Sequence, residues 1–328
     1  RRRHTRYISV TGVQTCALPI SGPNTPGQAF QPGPREWAFA VITATFPPEE
    51  GEQKVPGSTK AYTGQQIDNL VNPPDWFPDS HPPAPALVMR GRGGALACGS
   101  CHLMNGAGHP ESADVTGYTA DYLFQQMVDF RSGARKDAAR MNGIAKDLTD
   151  QEIREIAEYF AKMKPTKTTN LKEVSQAPKT FVGNGRMRFL DPRAKGQTEP
   201  IGQRILTVPE DEERVKHRDP NANVFVAYAP TGSVAKGKKY IQSGGGGKSV
   251  NCTICHGDDL MGLGNVPRLA GVHPIYLARQ LFLFKDGQRN GPDAPLMKKA
   301  VAQMTDQDVL NVVAYLASLD PTKPAPIK

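Results

Sequence analysis

Two cysteine pairs, each followed directly by a histidine, are the groups in this sequence best placed to do chemistry. Residues 98–102 read C-G-S-C-H, and residues 252–256, which lie 154 positions later, read C-T-I-C-H. Two thiols three positions apart can each add to a vinyl group of one porphyrin, and the adjacent histidine can then bind the iron as its proximal ligand. The pattern therefore predicts covalent attachment of a c-type haem at each motif.

The sequence that follows each motif is duplicated as well. A C-x-x-C pair can also bind zinc, form a disulfide or act as a redox dithiol, and two pairs could supply four thiolates to one zinc ion. A shared zinc site would require only the cysteines to recur. Here a Y-L-x-x-Q segment (122–126 and 276–280) and an F-x-x-G-x-R segment (130–135 and 284–289) recur at the same offset. The duplication favours two equivalent haem units over one shared metal site.

A methionine also recurs in register downstream of each motif. After two extra residues in the second copy, Met141 corresponds to Met297, and they lie 39 and 41 residues after His102 and His256. An iron that carries electrons needs a sixth ligand opposite the histidine, and a thioether raises its reduction potential relative to a second histidine. Most methionines fill cores, but recurrence with the motif favours axial ligation. Four other methionines do not recur and are weaker candidates or core residues: Met104, Met127, Met261 and Met304.

Hydrophobic periodicity predicts two main helices in each copy. Residues 149–163 begin at a threonine cap with an acidic first turn and place apolar residues at i, i+3, i+4 and i+7, and residues 305–319 repeat this pattern. Residues 118–131 and 274–286 predict a second helix that ends near a glycine. Each copy is then an all-helical unit of about a hundred residues or fewer, whose core is marginal alone. A flat apolar porphyrin would supply much of the missing buried surface.

This combination resembles the dihaem class I cytochromes c, in which two monohaem domains are fused in tandem. The resemblance covers residues 85–167 and 231–323 and rests on the motifs, the recurring segments, the downstream methionine and the final helix of each copy. It implies His–Met ligation at both irons and transfer of one electron at a time. Carried over by position, it assigns the first haem to Cys98, Cys101, His102 and Met141, and the second haem to Cys252, Cys255, His256 and Met297.

The predicted fold is mainly α, with two tandem class I cytochrome c domains joined by an insert with short strands and preceded by an irregular extension. The insert contains short apolar runs separated by turn residues, which predicts strands. The polar stretch 165–180 is expected to be loose. The full division is residues 21–84 for the proline-rich extension, 85–167 for the first domain, 168–230 for the insert, 231–323 for the second domain and 324–328 for a tail.

Two features outside the haem units carry specific expectations. The apolar run from Trp37 to Phe46 could form a strand or lie against a haem domain or a partner subunit. His81 and His217 lie in polar stretches without a partner at ligand spacing, so both are expected at the surface.

The first twenty residues have a basic start but no continuous apolar stretch, so they make a poor signal peptide. They resemble translated sequencing-adapter sequence, and we expect residues 1–20 to be a non-native artefact in which Cys16 has no role. Covalent haem attachment implies assembly on the periplasmic side of a bacterial membrane. We therefore expect a periplasmic protein whose export signal is missing from this chain.

Composition narrows the classes of partner. The formal net charge is +8, and residues 231–328 carry 12 basic and 7 acidic side chains. No stripe of interleaved arginine and aromatic residues supports nucleic-acid binding, and no apolar run approaches the length of a transmembrane helix. A mildly basic second domain is compatible with docking onto an acidic redox partner, and equally with an ordinary solvated surface.

These observations favour a periplasmic protein that carries single electrons between respiratory or dehydrogenase partners. Its electron donor or acceptor could be a dehydrogenase or an oxidase. One alternative is a haem-bearing subunit bound permanently to a dehydrogenase. Another is a dihaem oxidoreductase or peroxidase in which one iron has lost its sixth ligand. Against an enzyme, both copies keep a methionine in register, and no acid–base cluster flanks either one.

Overall fold

The computed structural model describes residues 35–327, apart from Gly94 and Ala138. The predictions for residues 1–20, including Cys16, lie outside this range. Within it, none of the helices combines the length and apolar character that a membrane span requires.

The proline-rich extension has little regular structure, as expected. Its apolar run does not form a strand: Trp37 packs edge-on against Phe282 of the second copy, with ring centroids 6.4 Å apart. Trp76 is buried in a separate small cluster of the extension. The regular elements here are β1 (Glu52–Gln53), which pairs antiparallel with β2 (Tyr62–Thr63), and the short helix α1 (Gly64–Ile67).

The first copy is helical, as the periodicity predicted. Thr149 caps the last helix through a reciprocal capping box with Glu152. The apolar face of that helix, which includes Ile153 and Phe160, is buried in a small core shared with Val88 and Met104. The helices are α2 (Ala86–Met89), α3 (Gly99–His102), α4 (Ala120–Ser132), α5 (Met141–Lys146) and α6 (Asp150–Ala161).

The insert carries the predicted short strands. The expectation that residues 165–180 are loose is wrong, because their backbone groups pair with strands formed later in the chain. Strand β3 runs parallel to β9, which pairs antiparallel with β8, while β4 pairs with β7 and β5 with β6. The elements are β3 (Thr169–Val174), β4 (Gln176–Pro178), β5 (Thr180–Val182), β6 (Arg188–Leu190), β7 (Thr198–Pro200), β8 (Leu206–Pro209), α7 (Glu212–Lys216) and β9 (Phe225–Pro230).

The second copy has the larger core. Its first helix, which the periodicity did not predict, packs so closely along the last helix that a Cβ at Gly237 would overlap the carbonyl of Asn311. The glycine run 244–246 has positive φ and turns the chain at the end of this helix. The helices are α8 (Ser233–Gly247), α9 (Thr253–His256), α10 (Pro274–Lys285), α11 (Ala294–Val301) and α12 (Asp306–Ser318).

The prediction that His81 and His217 lie at the surface is wrong. Both side chains are only 5% exposed. Nε2 of His217 lies 2.9 Å from a carboxylate oxygen of Glu49, and its carbonyl accepts a hydrogen bond from the Trp76 indole. Nε2 of His81 lies 3.2 Å from Asp75. Both are buried because the extension folds against the insert and the first copy, which local polarity does not reveal.

The two copies are joined by a buried ion pair. Arg268 of the second copy reaches Asp114 of the first, and both side chains are fully buried. The guanidinium also donates to the carbonyls of Thr116 and Ala270 at 2.9 and 2.7 Å. Asp114 and Arg268 occupy the same register position, since they are 154 residues apart. Complementary charges at equivalent positions therefore dock one copy against the other.

We predict that Arg268→Met lowers the free energy of unfolding by about 3–5 kcal/mol, because it leaves the Asp114 carboxylate buried without its partner. Adding Asp114→Asn should recover part of this loss. Guanidinium unfolding of the purified protein, followed by circular dichroism and tryptophan fluorescence, measures both effects. Arg193→Met is the control, since Arg193 pairs with Asp191 but is 84% exposed, and it should change little. Equal losses in the Arg268 and Arg193 variants would contradict the role of this ion pair.

Candidate haem-binding sites

Each C-x-x-C-H motif forms a single helical turn, α3 or α9. The i, i+3 spacing places the two thiols of a motif on the same side of the turn. The histidine N–H closes the turn on the carbonyl of the first cysteine, at 3.0 Å for both Cys98 and Cys252. The residue after each histidine has a positive φ, +60° at Leu103 and +85° at Gly257. The same backbone geometry is thus built twice.

Each histidine is held by a backbone carbonyl at an equivalent position. Nδ1 of His102 donates to the carbonyl of Ala113 at 2.7 Å, and Nδ1 of His256 donates to that of Pro267, also at 2.7 Å. Burial lowers the pKa of both imidazoles, which favours the neutral form. With Nδ1 carrying the proton, Nε2 presents its lone pair, and this is the arrangement an axial ligand needs.

One glycine in each copy, which the sequence analysis missed, shapes the loop that follows the histidine. The amide of Gly108 donates to the carbonyl of His102 at 3.0 Å, and that of Gly262 donates to His256 at 2.8 Å. Both glycines have positive φ. They also lie 154 residues apart, so extending the register comparison to the residues directly after the motifs would have found them.

None of the four motif cysteines forms a disulfide with another described residue. Burial raises the pKa of Cys98 to about 12 and that of Cys252 to about 11, so both remain protonated at neutral pH. Across residues 35–327, no cluster of three or more histidine, cysteine or acidic side chains is arranged to hold a metal ion.

The two candidate methionines lie on the short helices between the main helices of each copy. Met141 is the first residue of α5, which is anchored by Asn142: its side-chain amide donates to the carbonyls of Phe130 and Arg135 at 2.6 and 2.8 Å. Met297 lies in α11 and borders the same apolar core as Cys252. Both side chains are half-buried. Met304 is buried in the core of the second copy, as predicted, and Met104, a weaker candidate ligand, is buried in the first.

The recurring Y-L-x-x-Q and F-x-x-G-x-R segments form one network between the copies. Arg135 donates to Gln280 and Tyr276 of the second copy at 2.8 and 2.9 Å, and Arg289 donates to Gln126 and Tyr122 of the first at 2.7 and 3.0 Å. The backbone joins here as well: the amide of Asn290 donates to the carbonyl of Ala134 at 2.7 Å. The arginine of each F-x-x-G-x-R segment thus donates to the Y-L-x-x-Q segment of the other copy.

Neither buried arginine of this network forms an ion pair among the described residues, and the carboxylates of Asp129 and Asp137 act on Arg135 only through space. Arg135 and Arg289 are 5% and 8% exposed. Their hydrogen-bond acceptors among the described residues are neutral tyrosine and glutamine oxygens. Burial and the neighbouring Arg135 lower the pKa of Arg289. Buried guanidinium groups normally pair with an anion. The site therefore fits haem, because each haem brings two carboxylates, while the motifs supply the thiols and imidazole that it requires.

Comparison with known proteins matches this chain to c-type cytochromes. The family model for cytochrome c matches residues 234–320. The thiosulfate dehydrogenase electron acceptor of Thiomonas intermedia is 27% identical over 75% of this chain and 89% of its own length. Cytochrome c4 of Pseudomonas aeruginosa is 25% identical over 70% of this chain and 87% of its own. Cytochrome c-554(548) of Halomonas halodenitrificans is 37% identical over 20% of this chain and 82% of its own.

We predict that Cys98→Ser weakens or abolishes covalent attachment at the first motif only, because it removes one of the two thioether bonds. Expression in a host that matures c-type cytochromes, followed by denaturing mass spectrometry, counts the haems attached to each chain. Cys16→Ser is the matched control and should retain both. Loss of both haems in Cys98→Ser would show that the two motifs are not loaded independently.

Proposed function

The chain belongs to the class I cytochromes c as a dihaem member with two covalently bound haems c, and on that premise we propose that it carries single electrons between redox proteins of the periplasm. Each haem supplies an iron that takes up and releases one electron. The protein's own residues determine how firmly each haem is held, at what potential it works and which partners reach it.

The observation that carries this proposal is the duplicated hydrogen bond from each histidine to a backbone carbonyl. It holds both imidazoles neutral with Nε2 available, which supports our assignment of His102 and His256 as the ligands on one face of each iron. We assign the opposite face to Met141 and Met297, which recur in register. Two strong axial ligands leave no open position for a substrate, which favours a carrier over a peroxidase or another dihaem oxidoreductase.

A second form of the same function is a haem-bearing subunit docked on a dehydrogenase. One relative is named an electron acceptor of thiosulfate dehydrogenase, which favours a dehydrogenase as the electron donor. The extension and the insert provide surface beyond the two helical copies for such an association. In either form the chemistry of this chain is electron transfer alone.

We predict that Met141→His and Met297→His each keep both haems attached but lower the reduction potential of the substituted haem, because imidazole stabilises ferric iron more than a thioether does. Each should also lose half of the weak far-red sulfur-to-iron band of the oxidised protein. Spectroelectrochemical titration measures the two potentials.

The matched control is Met127→Leu, since the second copy already carries leucine at the equivalent position, Leu281. This variant should keep both potentials and the full far-red band. If Met297→His leaves both potentials unchanged, Met297 is not an axial ligand. A high-spin signal from one haem of the wild-type protein would instead favour the enzyme.

A further inference from the structure

The two haem motifs have the same backbone geometry but very different exposure. Ser100, in the middle of the first motif, is fully buried, whereas its register equivalent Ile254 is 70% exposed. Cys255 is exposed, whereas Cys101 is partly buried. The contrast is internal to one chain and compares identical positions of the same motif, so it reflects what packs around each copy.

The first motif is covered by the extension and the insert. Arg218 of the insert donates to the carbonyl of Ser100, and its Nε donates to the carbonyl of Ile67 at 2.8 Å. The extension adds a bond from the amide of Ala97 to the carbonyl of Leu70 at 3.0 Å. Asn223 of the insert donates to Gly108, in the loop beneath the histidine, at 2.6 Å.

The second motif has no such cover in the described part of the chain. No hydrogen bond from the extension or the insert reaches residues 252–256 there. The tail reaches only Asp258, through the amide of Ile327 at 2.9 Å. We define the motif-2 patch as the apolar side chains left exposed around this turn: Val250 at 56%, Ile254 at 70% and Leu263 at 66%.

We propose that the motif-2 patch is the docking surface through which this protein exchanges electrons, and that its occupant is a redox protein with an apolar rim around its own cofactor. This inference rests on the proposed function. Exposed apolar side chains directly on a haem-attachment turn let a partner exclude water where the two cofactors approach. The first haem then exchanges electrons with the second and not with outside proteins.

The size and the charges of the patch favour a transient partner over a second copy of this chain. A stable interface needs about 20–30 residues a side, whereas electron-transfer encounters lie at the small end of known interfaces. The patch offers three apolar side chains. The charged groups nearest in sequence have both signs: Lys248, which pairs with Asp308 at 2.8 Å, and the adjacent carboxylates Asp258 and Asp259. Recognition of the partner therefore rests on apolar contact, and a complex held by so small an apolar area is short-lived.

The test uses the haem-loaded protein and azurin, a small blue-copper protein, as the probe. Stopped-flow mixing of the reduced chain with oxidised azurin gives the second-order rate constant. Ile254→Lys and Ile254→Glu should both slow this reaction about tenfold, because either charge must be desolvated on docking. Leu190→Lys and Leu190→Glu are the controls, since Leu190 is an exposed leucine of the insert, and they should keep the wild-type rate.

Two further measurements separate docking from other causes. Reduction potentials of Val250→Lys, whose substitution lies outside the motif, should match the wild type, which keeps a failure of this inference distinct from a failure of the proposed function. Amide shifts on adding redox-inert zinc azurin should change at residues 250–255 and 263 but not at 96–101. Val250→Lys tests the patch independently of the motif itself.

Several results would overturn the proposal. Opposite effects of Ile254→Lys and Ile254→Glu would mean that charge, not apolar contact, governs docking. Unchanged rates in both variants, or amide shifts at the first motif, would place the exchange surface elsewhere. A concentration-dependent dimer of the wild-type protein that Ile254→Lys dissociates would identify a second copy as the occupant.

Discussion

The whole arrangement depends on one constraint: an axial imidazole must be neutral, fixed in one tautomer and aimed from a rigid backbone. A hydrogen bond from Nδ1 to a carbonyl at 2.7 Å meets all three requirements, and it is built identically at His102 and His256. The carbonyl comes from a residue eleven positions later, so the chain must turn back under the ring. The positive φ after each histidine, and the glycine that bonds back to the histidine carbonyl, provide that turn.

Duplication creates a second constraint at the contact between the copies. Where equivalent positions of the two copies face each other, identical side chains come together, and two charges of the same sign repel each other. The chain resolves this in two ways. At Asp114 and Arg268 the two copies have diverged to opposite charges, which form a buried ion pair. At Arg135 and Arg289 the like charges remain and share neutral glutamine and tyrosine acceptors. Such an arrangement is costly alone, and the carboxylates of two bound haems would offset that cost if they approach the two arginines.

The sequence alone was sufficient to predict features that depend on local periodicity or that recur in both copies. The motifs, the four main helices and the core position of Met304 follow from spacing and periodicity, which a single chain displays directly. The errors concern docking between segments distant in sequence. His81 and His217 are polar residues in polar stretches, and only the folded extension buries them. Strand β3 gains its partner from β9, more than fifty residues later, so nothing in residues 165–180 alone indicates a strand.

The same non-local packing makes two equal motifs functionally unequal. Gene duplication alone gives both haem units the same access to solvent, because each begins from the same turn. The extension and the insert then cover one turn and leave the other open, and the cover is specific, since Arg218 bonds directly to the first motif. If partners dock only at the motif-2 patch, as proposed, an electron reaches the first haem only across the contact between the copies. Arg135, Arg289 and the Asp114–Arg268 pair lie at that contact. If each iron is bound at the proposed ligands, the groups that hold the two copies together would also act on the electrostatics between the two haems.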